Sequence, residues 1–269
     1  MSVYGILGWP VAHSRSPAMQ EAAFRACGVD ARYVRFPVRP EALGDAVRGL
    51  RALGIAGANV TVPHKEAVGA HLDAVDAFAR RLGAVNTIVR EGDRLEGRNT
   101  DAPGLVRSLE EAGLQLDGKR ALVLGAGGAA RAAVAGLEDA GATVRVAARR
   151  PAQAERLLVD LESDGQALAM DALEAAFAET DLLVQATSAT MGERAEAFAA
   201  QLPWDALKEA AAAVDLVYTP RETTVLREAA RRGHPTVDGL GMLVHQGALA
   251  FEAWTGHPAP LAAMRAALL

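Results

Sequence analysis

Short apolar runs alternate with amphipathic stretches from one end of the chain to the other, the pattern of an α/β protein. Residues 3–7 predict a first strand. Residues 17–27 predict a helix with Ser16 at its N-cap and Pro17 in its first position, closed by Gly28. Residues 33–36 predict a second strand, residues 40–52 a helix, and residues 57–62 a third strand. Pro63 stops that strand because it has no N–H to give a sheet ladder. In the helical stretch 102–112, Leu105, Val106, Leu109 and Ala112 share one face. A second α/β series then starts at Arg120, with further strands predicted at 143–148, 181–186 and 213–218. Residues 242–254 are apolar nearly all round and predict a buried helix. The change of domain is placed near Asp101.

Composition narrows the picture mainly by exclusion. Of 269 residues, 51% are hydrophobic and 23% charged, which excludes bulk disorder. A net charge of -5 argues against nucleic acid or an anionic membrane as the main partner, while leaving room for a local basic site for one phosphate. The lone cysteine, Cys27, allows no internal disulfide and fits a reducing compartment. The six histidines lack metal-ligand spacing, so no metal site is expected. No secretory signal is read at the start, and no apolar run reaches the roughly 18 residues of a membrane helix. The expectation is a cytoplasmic protein, monomeric or homodimeric, acting on a small molecule and binding neither nucleic acid nor membrane.

The most specific motif follows the strand that starts at Arg120. Gly125, Ala126, Gly127, Gly128, Ala129 and Ala130 form a Gly-x-Gly-x-x-Ala turn between that strand and an alanine-rich helix, the context a dinucleotide fingerprint requires. Gly125 permits the tight turn, Gly127 lets a pyrophosphate approach the backbone, and Ala130 allows close packing of helix on sheet. The helix then offers its unpaired N–H groups to the phosphates. The next strand ends in Arg149 and Arg150 with no acid to accept ribose hydroxyls. Two guanidiniums suit a 2′-phosphate, so NADP is the expected cofactor. The competing reading is a solvated charge pair at a strand end.

A polar set lies in the first hundred residues. Asn59 and Thr61 alternate onto one face of the third strand, and Lys65 falls just beyond its carboxyl end, where open α/β sheets bind ligands. Ser14, Ser16, Asn86 and Asp101 add hydroxyls, an amide and an acid, and Gln246 places an amide within the apolar helix near the end. Singly, each has a plainer reading: Ser16 and Asp101 as helix caps, Lys65 as a surface charge, Gln246 as a core hydrogen bond. As a set they suit a polyol that bears a carboxylate.

Taken together, residues 12–17, 57–65, 83–87, 99–101, 125–131, 215–218 and 238–242 resemble the shikimate dehydrogenase family, in the same order and with nearly the same spacing along almost the whole chain. The resemblance implies NADPH-dependent, reversible reduction of 3-dehydroshikimate to shikimate, on the route to aromatic amino acids. It implies an N-terminal α/β substrate domain (residues 1–101), a Rossmann-type doubly wound NADP-binding domain (102–237), and C-terminal helices (238–269) that return to the substrate domain, leaving the site in a cleft. By the same resemblance, Ser14, Ser16, Asn59, Thr61, Lys65, Asn86, Asp101, Tyr218 and Gln246 line the substrate pocket. Lys65 and Asp101 are the catalytic pair, and which of them carries the proton is open. The turn from Gly125 to Ala130, with Arg149, Arg150, Thr187, Leu216 and Gly239, holds the cofactor.

Several positions depart from the family pattern. Ala148-Arg149-Arg150 stands for the usual Asn-Arg-Thr, Gln153 for an arginine that often follows, and Gln185 for the Asn of Asn-Ala-Thr. Ala77, next to Asp76, stands where some relatives have an acid. Arg150 is expected to replace Gln153 in holding the 2′-phosphate. The rival functions are an NAD-dependent quinate/shikimate dehydrogenase, a relative acting on an amino analogue, and a nucleotide sensor without chemistry. The presence of both Lys65 and Asp101 argues against the last.

Overall fold

The alternation of apolar runs and amphipathic stretches builds two six-stranded sheets. The computed structural model describes residues 1–269, which divide into one unit of residues 1–100 with 244–269 and a second of residues 101–243.

In the first unit the strands are β1 (Ser2–Gly8), β2 (Ala31–Pro37), β3 (Gly57–Val60), β4 (Ala74–Val75), β5 (Thr87–Glu91) and β6 (Arg94–Arg98), ordered β2-β1-β3-β5-β6-β4. β1 is parallel to β2 and β3, and β5 runs antiparallel to both β3 and β6. Its helices include α1 (Ser16–Ala26), α2 (Leu43–Ala52) and α3 (Ala77–Leu82). Successive β1 side chains face opposite ways. Leu7 joins a core with Val47, Leu50, Val60, Ile88 and Leu95. Tyr4 turns to aromatic partners instead, with ring centroids 5.2 Å from Phe24 and 5.1 Å from Trp254. Leu43, Val47 and Leu50 are the buried stripe of α2, at helical spacing.

The N-cap assignment for Ser16 is corrected by the structure. Ser16 is already inside α1, and the cap position is Arg15, with no side-chain capping bond. The hydroxyl that helps is Ser14, whose Oγ accepts the Ser16 N–H at 3.3 Å. Pro17, in the first turn, has no N–H in need of a partner.

The second unit contains α4 (Asp101–Glu111), β7 (Arg120–Leu124), α5 (Gly128–Asp139), β8 (Thr143–Ala147), α6 (Pro151–Asp160), β9 (Gln166–Leu168), α7 (Leu173–Glu179), β10 (Leu182–Gln185), α8 (Ala195–Ala200), β11 (Ala212–Asp215), α9 (Thr224–Arg231) and β12 (Thr236–Val237). Its strands are ordered β12-β11-β10-β7-β8-β9, every neighbouring pair parallel. Counted within this unit, that is the 3-2-1-4-5-6 order of doubly wound dinucleotide-binding sheets. Because helices cover both faces of such a sheet, residues 121–124 of β7 and 182–184 of β10 are continuous buried apolar runs. Phe177 meets Trp204 edge-on in the core, centroids 6.2 Å apart.

The chain then forms α10 (Leu240–Thr255) and α11 (Leu261–Ala266). The division at residues 243 and 244 falls inside α10, so this one helix begins in the second unit and ends in the first. No helix is long and apolar enough to cross a membrane.

Candidate active site

β1 and β3 are parallel neighbours, so their carboxyl ends lie at the same edge of the sheet. The segment after β1 supplies Ser14 and Ser16, and the segment after β3 supplies Thr61 and Lys65. The two segments are tied together, since Trp9 donates its N–H to the Val62 carbonyl at 3.0 Å and Thr61 donates to Leu7 at 2.9 Å. β5 runs the other way, so its beginning, with Asn86 just before it, reaches the same edge.

A buried relay of side chains reaches this edge at Asn86. Tyr33 donates to Asn59 Oδ1 at 2.6 Å. Asn59 Nδ2 donates to Thr87 Oγ1 at 3.2 Å, and the Thr87 hydroxyl donates to Asn86 Oδ1 at 3.0 Å. Asn86 Nδ2 then donates to Thr100 Oγ1 at 3.0 Å, and its Oδ1 accepts the Thr100 N–H at 2.8 Å. Burial pushes the Tyr33 hydroxyl well above the usual tyrosine value, so it stays a neutral donor. Removing it in Tyr33→Phe leaves Asn59 Oδ1 buried without a donor. The expected outcome is a loss of about 1–3 kcal/mol in unfolding free energy, read from urea unfolding. A change within about 0.5 kcal/mol, the scale of ordinary surface substitutions, would show that the relay does not depend on this bond.

Lys65 is half-buried, and its carbonyl accepts the Val85 N–H at 2.8 Å, which anchors its backbone at the mouth of this edge. Gln246 belongs to the same unit, on α10, one residue before Gly247, whose carbonyl accepts from Gln20 of α1 at 2.9 Å. The first unit therefore holds Ser14, Ser16, Asn59, Thr61, Lys65, Asn86 and Gln246. Asp101 and Tyr218 belong to the second. Asp101 opens α4 in its first turn, where a carboxylate is favoured by the helix dipole, and it directly follows Thr100, the residue Asn86 clamps. Tyr218 lies three residues past β11 and is half-buried.

In the second unit, Gly125 directly follows β7 with φ +117, which residues other than glycine rarely adopt. A Cβ placed there would also stand 2.7 Å from Thr187 Cγ2, so the turn after β7 and the loop after β10 are in contact. Above Gly127 and Gly128 there is open space, and α5 starts at Gly128 with its N–H groups facing outward. Ala130 is fully buried and packs the helix onto the sheet, while Ala129 is exposed. Leu216 and Gly239 meet each other, because any side chain at Gly239 would collide with the Leu216 carbonyl.

Beside the turn lies a cavity of about 410 Å³, lined among others by Gly125, Ala126, Arg149, Arg150 and Thr187. No Asp or Glu lines it. This wall fits the adenosine half of NADP, with glycine backbone for the phosphates and guanidiniums for a 2′-phosphate. Gly127, Gly128, Leu216 and Gly239 are outside that lining, along the carboxyl ends of the strands.

Under this rim is a buried polar knot that sequence reasoning passes over. Gln185, at the end of β10, accepts the Thr187 N–H at 2.6 Å and donates to the Thr187 carbonyl at 2.9 Å and to Thr190 Oγ1 at 3.1 Å. Asp215, at the end of β11, accepts from Thr223 Oγ1 at 2.7 Å and from the Val217 N–H at 3.0 Å. Burial pushes the Asp215 carboxyl up, opposed by those donors together with Thr190 and Gln185. The Val217 bond also explains why β11 stops at Asp215 instead of reaching Tyr218, the end expected from the apolar run. Both loops that carry candidate site residues, Thr187 and Leu216 to Tyr218, are thus shaped from below. Asp215 falls in a segment the motifs single out, but nothing in one sequence says its carboxylate points inward.

Comparison with known proteins follows the same division. The model of the shikimate dehydrogenase substrate binding domain matches residues 6–88, that of shikimate / quinate 5-dehydrogenase residues 107–193, and that of the shikimate 5′-dehydrogenase C-terminal domain residues 239–269. The chain is 47% identical over 268 residues to a shikimate dehydrogenase (NADP(+)) of Halobacterium salinarum, covering 100% of this chain and 98% of that one. To the protein of the same name from Salinibacter ruber it is 51% identical over 274 residues, covering 98% and 95%. The crystal structure of shikimate 5-dehydrogenase from Thermus thermophilus, in complex with NADP(H) and shikimate, superposes with a TM-score of 0.88 at 40% identity, covering 99% of this chain and 98% of that one. With identities of 47% and 51% over nearly the whole chain and family models matching three successive segments of it, the chain belongs to the shikimate dehydrogenase family.

Proposed function

We propose that the protein catalyses the NADPH-dependent, reversible reduction of 3-dehydroshikimate to shikimate, a step toward aromatic amino acids. The observation that carries this reading is the cavity beside the Gly125 turn, lined by arginines and free of acids, in a chain whose relatives are named for NADP(+) and shikimate. The chemistry that bound NADPH supplies is a hydride for the ketone carbon. Lys65 donates the proton to the developing alkoxide oxygen and is reprotonated from solvent. Asp101 holds that ammonium and accepts a hydrogen bond from the reacting hydroxyl. The hydroxyls and amides of Ser14, Ser16, Asn59, Thr61, Asn86, Tyr218 and Gln246 take the carboxylate and hydroxyls of the substrate. In the second unit, Gly125, Ala126, Gly127, Gly128, Arg149, Arg150, Thr187, Leu216 and Gly239 receive the cofactor, and Ala129 and Ala130 serve the helix that does so.

The domains act as residues 1–101, 102–237 and 238–269, the last returning to the substrate domain. We place the enzyme in the cytoplasm, as a monomer or homodimer. One observation favours a second reading, an NAD-dependent quinate/shikimate dehydrogenase: Gln153, an uncharged residue, is part of the cavity wall. Initial rates decide between them, with 3-dehydroshikimate against NADPH and NADH, and quinate and shikimate against the oxidised cofactors. Turnover of 3-dehydroshikimate that strongly favours NADPH is the expected result. Turnover preferring NADH, or quinate over shikimate, would replace the first reading with the second.

A further inference from the structure

The same cavity contains a residue that no motif marks. Arg194 lines it together with Arg149 and Arg150, although it is 44 positions along the chain from Arg150. It precedes α8, on the segment after β10. Arg149 and Arg150 follow β8. In the sheet, β8 and β10 flank β7 on opposite sides, so the two arginine-bearing segments come from either side of the glycine turn.

Three guanidiniums around one cavity repel one another unless an anion joins them. Several other arginines of this unit are matched by acids, Arg227 with Glu196, Arg131 with Asp160, Arg145 with Glu179 and Arg232 with Asp205, while the exposed Arg156 on α6 is not. Arg149 and Arg194 make no side-chain hydrogen bond or ion pair, and Arg150 binds only the uncharged Gln153, Nε to Oε1 at 3.1 Å. The neighbouring acids Glu193 and Glu196 do not line the cavity, and Glu196 is engaged by Arg227. The charges are therefore left for a ligand, and the ligand they suit is a phosphate dianion, which guanidiniums grip through paired N–H donors.

We infer that Arg194 is a third phosphate-binding arginine of this protein, facing Arg149 and Arg150 across the pocket for the adenosine 2′-phosphate, and thereby a determinant of NADPH over NADH. The inference deepens the reading of this cavity as the NADP site and rests on it. Arg194 does what an arginine at position 153 would do from the other wall.

The test is calorimetric binding to the cofactor-free protein, with adenosine 2′,5′-bisphosphate and adenosine 5′-monophosphate as probes. Arg194 is exposed, so Arg194→Ala is expected to fold normally. The variant is expected to bind the bisphosphate roughly ten- to a hundredfold more weakly, the range of one charge-assisted hydrogen bond, with the monophosphate unchanged. Arg194→Lys should recover part of the loss, and the salt dependence of bisphosphate binding should flatten in Arg194→Ala. In steady state, the KM for NADPH should rise while kcat at saturating NADPH and the KM for the carbocyclic substrate stay put. Equal weakening of both probes would overturn the inference, because it would place Arg194 on the adenine or the loop. So would unchanged binding of both while Arg149→Ala discriminates between them, a result that keeps the cavity as the 2′-phosphate site. If the wild type itself binds the two probes alike, both the cavity reading and the role of Arg194 fall.

Discussion

Lys65→Ala is expected to lower kcat by about 10²-fold or more, the scale of general acid–base catalysis, with a much smaller change in KM. The ammonium is needed most when negative charge builds on the substrate oxygen, so its loss raises the barrier more than it weakens ground-state binding. The backbone at this position is held by the Val85 N–H bonded to the Lys65 carbonyl, a contact that survives truncation of the side chain. An unchanged melting temperature should therefore accompany the loss of rate. A kcat near wild type would remove Lys65 from the chemistry. Asp101→Asn separates the two proton assignments. If Asp101 only positions the ammonium, the variant retains more activity than Lys65→Ala, and if it carries the proton, the order reverses.

Replacing Arg149 and Arg150 together by alanine is expected to raise the KM for NADPH by about two orders of magnitude, as two charge-assisted hydrogen bonds at about 1.5 kcal/mol each are lost. The KM for the carbocyclic substrate should move far less, and NADH should be used about as well as before. Both side chains are exposed and neither is ion-paired, so the cost should fall on cofactor binding and not on folding. The difference between wild type and variant should shrink as salt rises, because exposed charges are screened within about 10 Å at 0.1 M. An equal loss with NADH and NADPH would show that the pair does not read the 2′-phosphate.

Much of the fold was legible because its signals are local. The strand–turn–helix at Gly125 needs only a buried run, two glycines and an alanine-rich helix in succession, and β7, the turn and α5 follow in that order. α4 was legible from the spacing of Leu105, Val106 and Leu109, and α10 from its apolar composition. The antiparallel pair β5 and β6 was not, because Arg94-Leu95-Glu96-Gly97-Arg98 carries charges at three of five places and offers no apolar run. Its burial is confined to Leu95 and Gly97, on one face of a sheet whose existence depends on β3 and β5. Ser16 was misplaced by one position because cap preference alone does not say which of two nearby serines turns its hydroxyl back; Ser14 does.

The candidate residues divide along the same line. Residue type and spacing along one segment suffice to read a dinucleotide turn at Gly125 to Ala130 and to place Arg149, Arg150 and Lys65 near strand ends, and the resemblance of the motifs supplied the reaction. Which residues stand beside them is set by the fold. The relay from Tyr33 through Asn59 and Thr87 to Asn86 joins residues of three separate segments, and Asp215 and Gln185 meet from two strands thirty residues apart. Arg194 shares a cavity with Arg149 because β10 and β8 both neighbour β7. Hydrogen bonds and electrostatic forces act over a few ångströms of space, whatever the distance along the chain, and the order of strands in the sheet sets which distant residues come that close.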